Sequence, residues 1–438
     1  MIEQRRNHRR LFFRHFGSAV GGYCLLPGAA AQQRSTRAGV KNVVFVFLSG
    51  GISQVDTFDL KVGPWTPRNF DPTHFRGIHF PRGLLPVLSE ALDDIVLIRS
   101  VRSWAEEHSL ARQWLQIGRN PATPDARLSP HIGSVIASEL APQNPNAPLP
   151  AYVCLNAVAG SIPGEGFLPA ANAPFLVSQT KGDGLRIAMH PEGKERYSRR
   201  AALLARLATP GPSTPLIEED AVYQKSARSL IFNAAIDAAF TVAPAERVRY
   251  GDSPFGNACA VARNLLTRKL GPRFIQINFG DWDHHGNIYA PGALDAGNPK
   301  SLARQLDSGL GSLIADLKAS GALNETLVIA IGEFGRTAGP LTPAQGRDHA
   351  LLQSALVAGG GVRGGRALGS TDDTGARIRD AGWRRDREIR HEDLEATIYW
   401  ALGIDWTKAI VNPEMGGRYF YVPGSDRQEY TPVQDLWV

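Results

Sequence analysis

Cysteine is scarce: there are three in 438 residues, at positions 24, 154 and 259. Their spacing fits no zinc or redox motif, and only Cys154 and Cys259 would remain after removal of a leader, enough for one disulfide or none. No apolar stretch reaches ~18 residues, the length a membrane-spanning helix needs. No strand-to-helix dinucleotide fingerprint and no GxxxxGK[ST] loop is present, and a GxSxG elbow is also missing. The glycine-rich LVAGGGVRGG reads as a hairpin or tight turn rather than a phosphate cradle. Excess charge is also small, with 48 Lys+Arg against 42 Asp+Glu. Arginines in RDAGWRRDREIRHEDLE alternate with acids, which describes a solvated helix face and not a nucleic-acid groove. No repeat of 20 to 50 residues stands out, so a solenoid or propeller is excluded.

What is present is a chain 43% hydrophobic, enough to build a sizeable core in one large or two ordinary domains. Its organising stretch is KNVVFVFLSGGISQVDTFD, Lys41 to Asp59. Six apolar residues from Val43 to Leu48 end in Ser-Gly-Gly, which predicts a strand buried on both faces. Further strands are predicted at IVLIRS, AYVCL, FIQINFG (274–280), TLVIAIG (326–332) and SALVAGGGV. Between them, helical spacing predicts helices near 84–94, 106–117, 131–140, 217–246, 257–268, 299–319 and 392–402. Residues 158–215 are Gly-, Pro- and Ala-rich with weak periodicity, and predict an irregular insertion spanning about 158–250. Strands alternating with helices make the fold class α/β: a mainly parallel sheet sandwiched between helices.

Polar residues following parallel strands meet at one sheet edge, where open α/β folds place ligands. Four clusters occupy such places. The first holds Ser49, Ser53, Asp56, Thr57 and Asp59; the second, His108 and Arg112 at the start of a helix. The third is DWDHHGN, with Asp281, Asp283, His284 and His285; the fourth, Glu333, Arg336 and Arg347-Asp348-His349. Singly, a glutamate after a strand reads as a cap and a loop histidine as solvent-exposed. Two carboxylates and two imidazoles within five residues are different, because a divalent cation is what organises them. Metal ligands beside arginines point to an anionic ester substrate.

At the N-terminus, Arg9-Arg10-Leu-Phe-Phe-Arg precedes a Gly/Ala-rich run and Pro27-Gly28-Ala29-Ala30-Ala31. That order predicts an export signal over 1–31, resembling the twin-arginine type, and then a polar tether at 32–40. The expected location is the periplasm or the cell exterior.

Taken in order, the Arg9-Arg10 signal, FLSGGISQVDTFD, LIRS, HSLARQWLQIGRNP, DWDHHGN, GEFGRT, GRDHA, ALVAGGGVRGG and LEATIYWALGID resemble the exported domain-of-unknown-function 1501 family, sulfatase-like proteins of the alkaline phosphatase superfamily. The resemblance covers nearly the whole chain and implies one sulfatase/alkaline phosphatase-like domain over 41–438. By that likeness, His108 stands where sulfatases carry their Ser or Cys nucleophile, and Arg112 keeps the anion-holding place. The first-strand metal aspartate is replaced by Ser49-Gly50-Gly51, with Asp56 and Asp59 a few residues on. Glu333-Phe334 stands where an Asp-Asn or Asp-His pair would be, so one half-site has lost a donor. DWDHHGN and His349 resemble the other metal site.

The expected activity is therefore a metal-dependent hydrolase of phosphate or sulfate esters, acting on a small anionic ester or anionic glycan. A Zn-like divalent ion would be held by Asp283, His285 and His349, with Asp281, Asp348 and Asp56 as alternative ligands. Glu333 would be a ligand or base, and His108 a nucleophile, base or ligand. The alternative is a non-catalytic protein that uses the same pocket for binding.

Overall fold

The computed structural model of the protein describes residues 39–185, 193–207, 230, 233–290, 299–413 and 416–438. The expected signal, most of the tether and much of the helix expected at 217–246 lie outside the described residues. Among the described residues no helix is long and apolar enough to cross a membrane.

The first strand, β1 (Asn42–Phe47), shows why its sequence is apolar from Val43 onward. Val44 and Val46 enter one hydrophobic layer, while Val43, Phe45 and Phe47 enter the other. Successive strand side chains alternate faces, so a strand covered on both sides has no polar positions to spare. Strands β2 (Ile95–Arg102), β3 (Tyr152–Leu155), β5 (Phe274–Asn278), β6 (Thr326–Ile331) and β7 (Leu352–Gly359) are likewise mostly apolar and buried, although β2 holds Arg99 and Ser100, β5 Gln276 and Asn278, and β7 Gln353 and Ser354; short strands β4 (Phe175–Val177) and β8 (Arg366–Leu368) lie at the edges. Among the described residues these eight form one sheet in the order β8-β2-β7-β6-β1-β5-β3-β4.

All neighbours in this sheet run parallel except at β7, which is antiparallel to both β2 and β6. The sheet is thus mixed but mostly parallel. Gly359, the last residue of β7, and Gly360 and Gly361 after it have φ of 73°, 58° and 72°, making the expected tight turn. They do not close a hairpin, because β8 pairs in parallel with β2 on its far side.

Helices cover both faces: α1 (Pro86–Glu90), α2 (His108–Ile117), α3 (Ile132–Leu140), α4 (Pro254–Thr267), α5 (Pro299–Ala319) and α6 (His391–Ala401). The layer with Val44 and Val46 contains Leu88 of α1, Phe255 and Val261 of α4, and Leu306 and Leu313 of α5. The opposite layer takes Leu115 of α2, Ile132 and Ile136 of α3, and Ile398 and Tyr399 of α6. Cys154 lies in the second layer and Cys259 in the first, both buried as free thiols with the sheet between them. Within the region expected to be irregular, residues 175–177 supply edge strand β4, a 15-residue helix occupies Gly193–Leu207, and short helices occupy Ala234–Phe240 and Pro244–Tyr250.

This topology creates one functional edge. The carboxyl ends of β1, β2, β5 and β6 lie together, and because β7 runs backwards its amino end joins them. Residues just after four strands and just before a fifth therefore face one another.

Candidate metal centre

Gly50 and Gly51 end β1 with φ of 105° and 79°. A Cβ on Gly50 would sit 2.7 Å from the backbone nitrogens of Trp282 and Asp283, and one on Gly51 would sit 2.8 Å from the Phe334 ring. The two glycines thus let the loops after β5 and β6 close over the end of β1. The Gly50 N–H donates to both oxygens of Glu333, at 2.8 and 3.0 Å.

Glu333, just past β6, is fully buried. Its Oε1 also accepts from Arg112 Nε at 3.1 Å and meets His108 Nδ1 at 2.9 Å. His108 is held there by the start of α2, where the Glu107 carboxylate caps the helix by accepting from Ser109 and Leu110 N–H. Gly118 ends the same helix at φ 63°, its N–H bonded to Trp114 O. A carboxylate that accepts three other hydrogen bonds makes His108 Nδ1 the donor, so in the neutral ring Nε2 carries the lone pair. The Glu333 hydrogen bond is also the chief cause that raises the His108 pKa.

Asp283, in the loop after β5, is the hub. Its Oδ1 accepts from Arg336 Nη2 at 2.6 Å, and lies 2.9 Å from His285 Nε2 and 3.2 Å from His349 Nε2. Its Oδ2 is 3.2 Å from His108 Nε2. Burial opposes ionisation of Asp283, but hydrogen bonds from Arg336 and His349 outweigh it and hold the carboxyl well below the usual range. His349 Nδ1 bonds the carbonyl oxygen of Glu106 at 2.7 Å, so this ring too has its proton committed at Nδ1.

Two imidazoles therefore turn their Nε2 atoms toward a single carboxylate. Acceptors that close repel one another unless a proton or a metal ion lies between them. The donor atoms of His108, Asp283 and His349 all lie within 4.8 Å of one another, a spacing suited to one cation. A carboxylate or carbonyl holding the far N–H of each ring is the arrangement that orients metal-binding histidines. The residues fit a divalent ion.

Of the residues expected from the sequence, His108, Arg112, Asp283, His285, Glu333, Asp348 and His349 come together. The grouping differs in one respect: His108, rather than His285, shares the triad with Asp283 and His349. His285 instead bridges Asp283 and Asp348, with its Nδ1 2.8 Å from Asp348 Oδ1. Asp56 lies apart, its two oxygens taken by the buried Arg347 at 2.7 and 3.1 Å. Asp281, at φ 72°, sits in a neighbouring cleft of about 560 Å³ with Ser49, Arg112, Asn156, Asn278 and Gln305. Arg336 was visible in the sequence as part of a cluster, yet its role as the partner of Asp283 was not. The Glu106 carbonyl carried no signal, since any residue supplies one.

No curated protein matches this chain. Among solved structures, the fold is similar to the lipoteichoic acid synthase LtaP of Listeria monocytogenes, at 12% identity and TM-score 0.40, covering 88% of this chain and 76% of that one. It is similar to the phosphonate monoester hydrolase SpPMH of Silicibacter pomeroyi, at 12% identity and TM-score 0.41, covering 91% and 76%. A protein of the alkaline phosphatase superfamily from Vibrio parahaemolyticus has 13% identity and TM-score 0.38, covering 84% and 68%. By its sequence over residues 40–430, the chain belongs to the family described as protein of unknown function (DUF1501).

Proposed function

We propose that the protein is a metal-dependent hydrolase of anionic esters, phosphate or sulfate, working at the carboxyl edge of the sheet. The observation that carries this reading is the pair of imidazoles whose Nε2 atoms converge on Asp283 with both Nδ1 atoms already committed. His108, Asp283 and His349 would hold the ion, and two imidazoles with one carboxylate suit a Zn-like metal. Such an ion supplies Lewis-acid polarisation of an ester oxygen and lowers the pKa of bound water.

This chain's own residues do the rest. Glu333 fixes the His108 tautomer, and the Glu106 carbonyl fixes that of His349. Arg112 is anchored to Glu333 through Nε, and its guanidinium also lines the cleft, where its terminal nitrogens would bind ester oxygens. Asp348 holds His285 against Asp283, a candidate relay for a proton at the rim.

A second reading, a binding protein without turnover, is favoured by one feature. His108 Nδ1 is taken by Glu333 and its Nε2 faces Asp283 at 3.2 Å rather than the open cleft, which leaves no obvious nucleophile at the position where sulfatases carry one. Metal analysis of the purified protein, followed by assays with aryl phosphate and aryl sulfate before and after chelation, separates the two readings. Hydrolysis of either ester that is lost on chelation and regained on reloading supports the enzyme. A fully loaded protein inert toward both esters removes it. We further infer export, from the Arg9-Arg10 pattern and the small-residue run ending at Ala31.

A further inference from the structure

Arg336 is almost completely buried, yet its guanidinium does not sit in a simple ion pair. It gathers five oxygens that would otherwise repel one another. Nε donates to Gly51 O at 2.8 Å, and Nη1 to Arg347 O at 3.1 Å. Nη2 reaches Gly50 O, Trp282 O and Asp283 Oδ1. Three carbonyls and a carboxylate from the ends of β1 and β5, aimed at one point, form the surroundings a bound cation needs. Here the cation is covalently part of the chain, and it lies against Gly50 and Gly51, where the expected first-strand metal ligand is missing.

We propose that Arg336 is a resident cation that takes the place of a second metal ion, so that the centre holds a single divalent ion. This rests on the metal reading given above. The charge count agrees with it. Glu333, Asp283 and Asp56 are matched by the guanidiniums of Arg112, Arg336 and Arg347, while Asp348 is paired with His285 alone, so with neutral imidazoles one negative charge is unmatched. One dication turns that into a single positive charge, a suitable field for an anionic ester. Two dications would leave three positive charges in the site, with one of them forced against the buried Arg336. Arg336 also fixes Asp283 Oδ1, which leaves Oδ2 as the oxygen facing His108. The planar fork does this where an ammonium point charge could not span the same acceptors.

The test is stoichiometry. Full-length mature protein is stripped with a chelator, reloaded with Zn²⁺ and separately with Mn²⁺, desalted, and analysed by elemental mass spectrometry. One ion per chain is expected with either metal. Two ions overturn the proposal while leaving the hydrolase reading intact. No ion overturns both the proposal and the metal reading. One ion in a protein inert toward both ester classes removes the hydrolase and leaves Arg336 as assigned.

Arg336→Gly should lower Tm by about 5 °C and recover much of that in millimolar guanidinium chloride, but not in equal sodium chloride. An unchanged Tm, or one that guanidinium does not restore, counts against a resident cation. Should that variant not fold, Arg336→Lys keeps the charge without the fork. It should bind its single ion about tenfold more weakly or worse. Wild-type affinity in the lysine variant would overturn the assignment.

Discussion

Replacing Glu333 by Gln perturbs the centre at its most buried point. The carboxylate takes the Gly50 N–H on both oxygens, and Arg112 Nε and His108 Nδ1 on Oε1. The amide keeps the shape but loses the charge, and places a donor NH₂ where Oε2 met the Gly50 N–H. An unmade hydrogen bond in a dry site costs about 1–3 kcal/mol, so the unfolding free energy should fall by that amount, read as a lower urea midpoint at unchanged slope. Two effects on His108 then oppose each other. Losing the anion removes the chief cause of its raised pKa, which weakens proton competition for Nε2. Losing the partner of Nδ1 also loosens the ring, which weakens ion binding about 10- to 100-fold. At about pH 8, above the ordinary imidazole range, proton competition is negligible and the loosened ring should dominate. Toward about pH 6 the deficit should narrow, because the wild-type ring holds its proton longer there. Calorimetric titration of chelator-stripped protein with Zn²⁺ at both pH values reads the difference. A folded Glu333→Gln protein with wild-type affinity at the higher pH would refute the role of His108 as an ion ligand oriented by Glu333.

Gly50→Ala should destabilise the fold by about 2–4 kcal/mol, since its φ is 105° and the new Cβ would lie 2.7 Å from two backbone nitrogens; an unchanged urea midpoint would contradict the close approach. His131 is buried with its pKa pushed down to about 3 by burial, and its Nδ1 accepts the Gly133 N–H at the start of α3. Unfolded chains take up a proton there below about pH 6.5 while the folded chain does not, so acid removes about 1.4 kcal/mol of stability per pH unit. His131→Asn keeps a capping oxygen without the titration and should flatten the stability profile between about pH 6 and about pH 4 by that slope; an identical profile would show that the ring does not titrate this way. Changing Arg9 and Arg10 together to Lys keeps the charge but loses the guanidinium pair; the precursor should then accumulate inside the cell, and undiminished export would rule out a twin-arginine signal.

The sequence made the elements legible where burial on both faces leaves little choice. VVFVFL and TLVIAI read as covered strands because alternation has nothing polar to display, and helices at 257–268 and 299–319 were found within a few residues as Pro254–Thr267 and Pro299–Ala319. The strand-end clusters were legible for a related reason. Parallel strands share an edge, so His108, Asp283 and Glu333 had to approach one another. His285 shows the limit of such reasoning. It lies two residues from Asp283 and beside His284, and spacing brings it to the cluster, where its Nε2 is 2.9 Å from Asp283 Oδ1, but spacing could not show that Asp348 holds its Nδ1.

Composition and pattern by themselves determined an α/β chain with a mainly parallel sheet and an edge rich in carboxylate and imidazole. These follow from local rules, the two-residue strand period and the glycines that end strands, which need no partner to be read. The tertiary structure alone decided the reversal of β7, which delivers His349 to the same edge as His108. It alone paired Asp56 with Arg347, spent Arg336 on the carbonyls of Gly50 and Gly51, and committed the two Nδ1 protons to Glu333 and to the Glu106 carbonyl. Each of these is a choice among chemically equivalent partners far apart in sequence. Such choices are made by which atoms the packed sheet and its turns bring within about 3 Å, and no local pattern of residues encodes that distance.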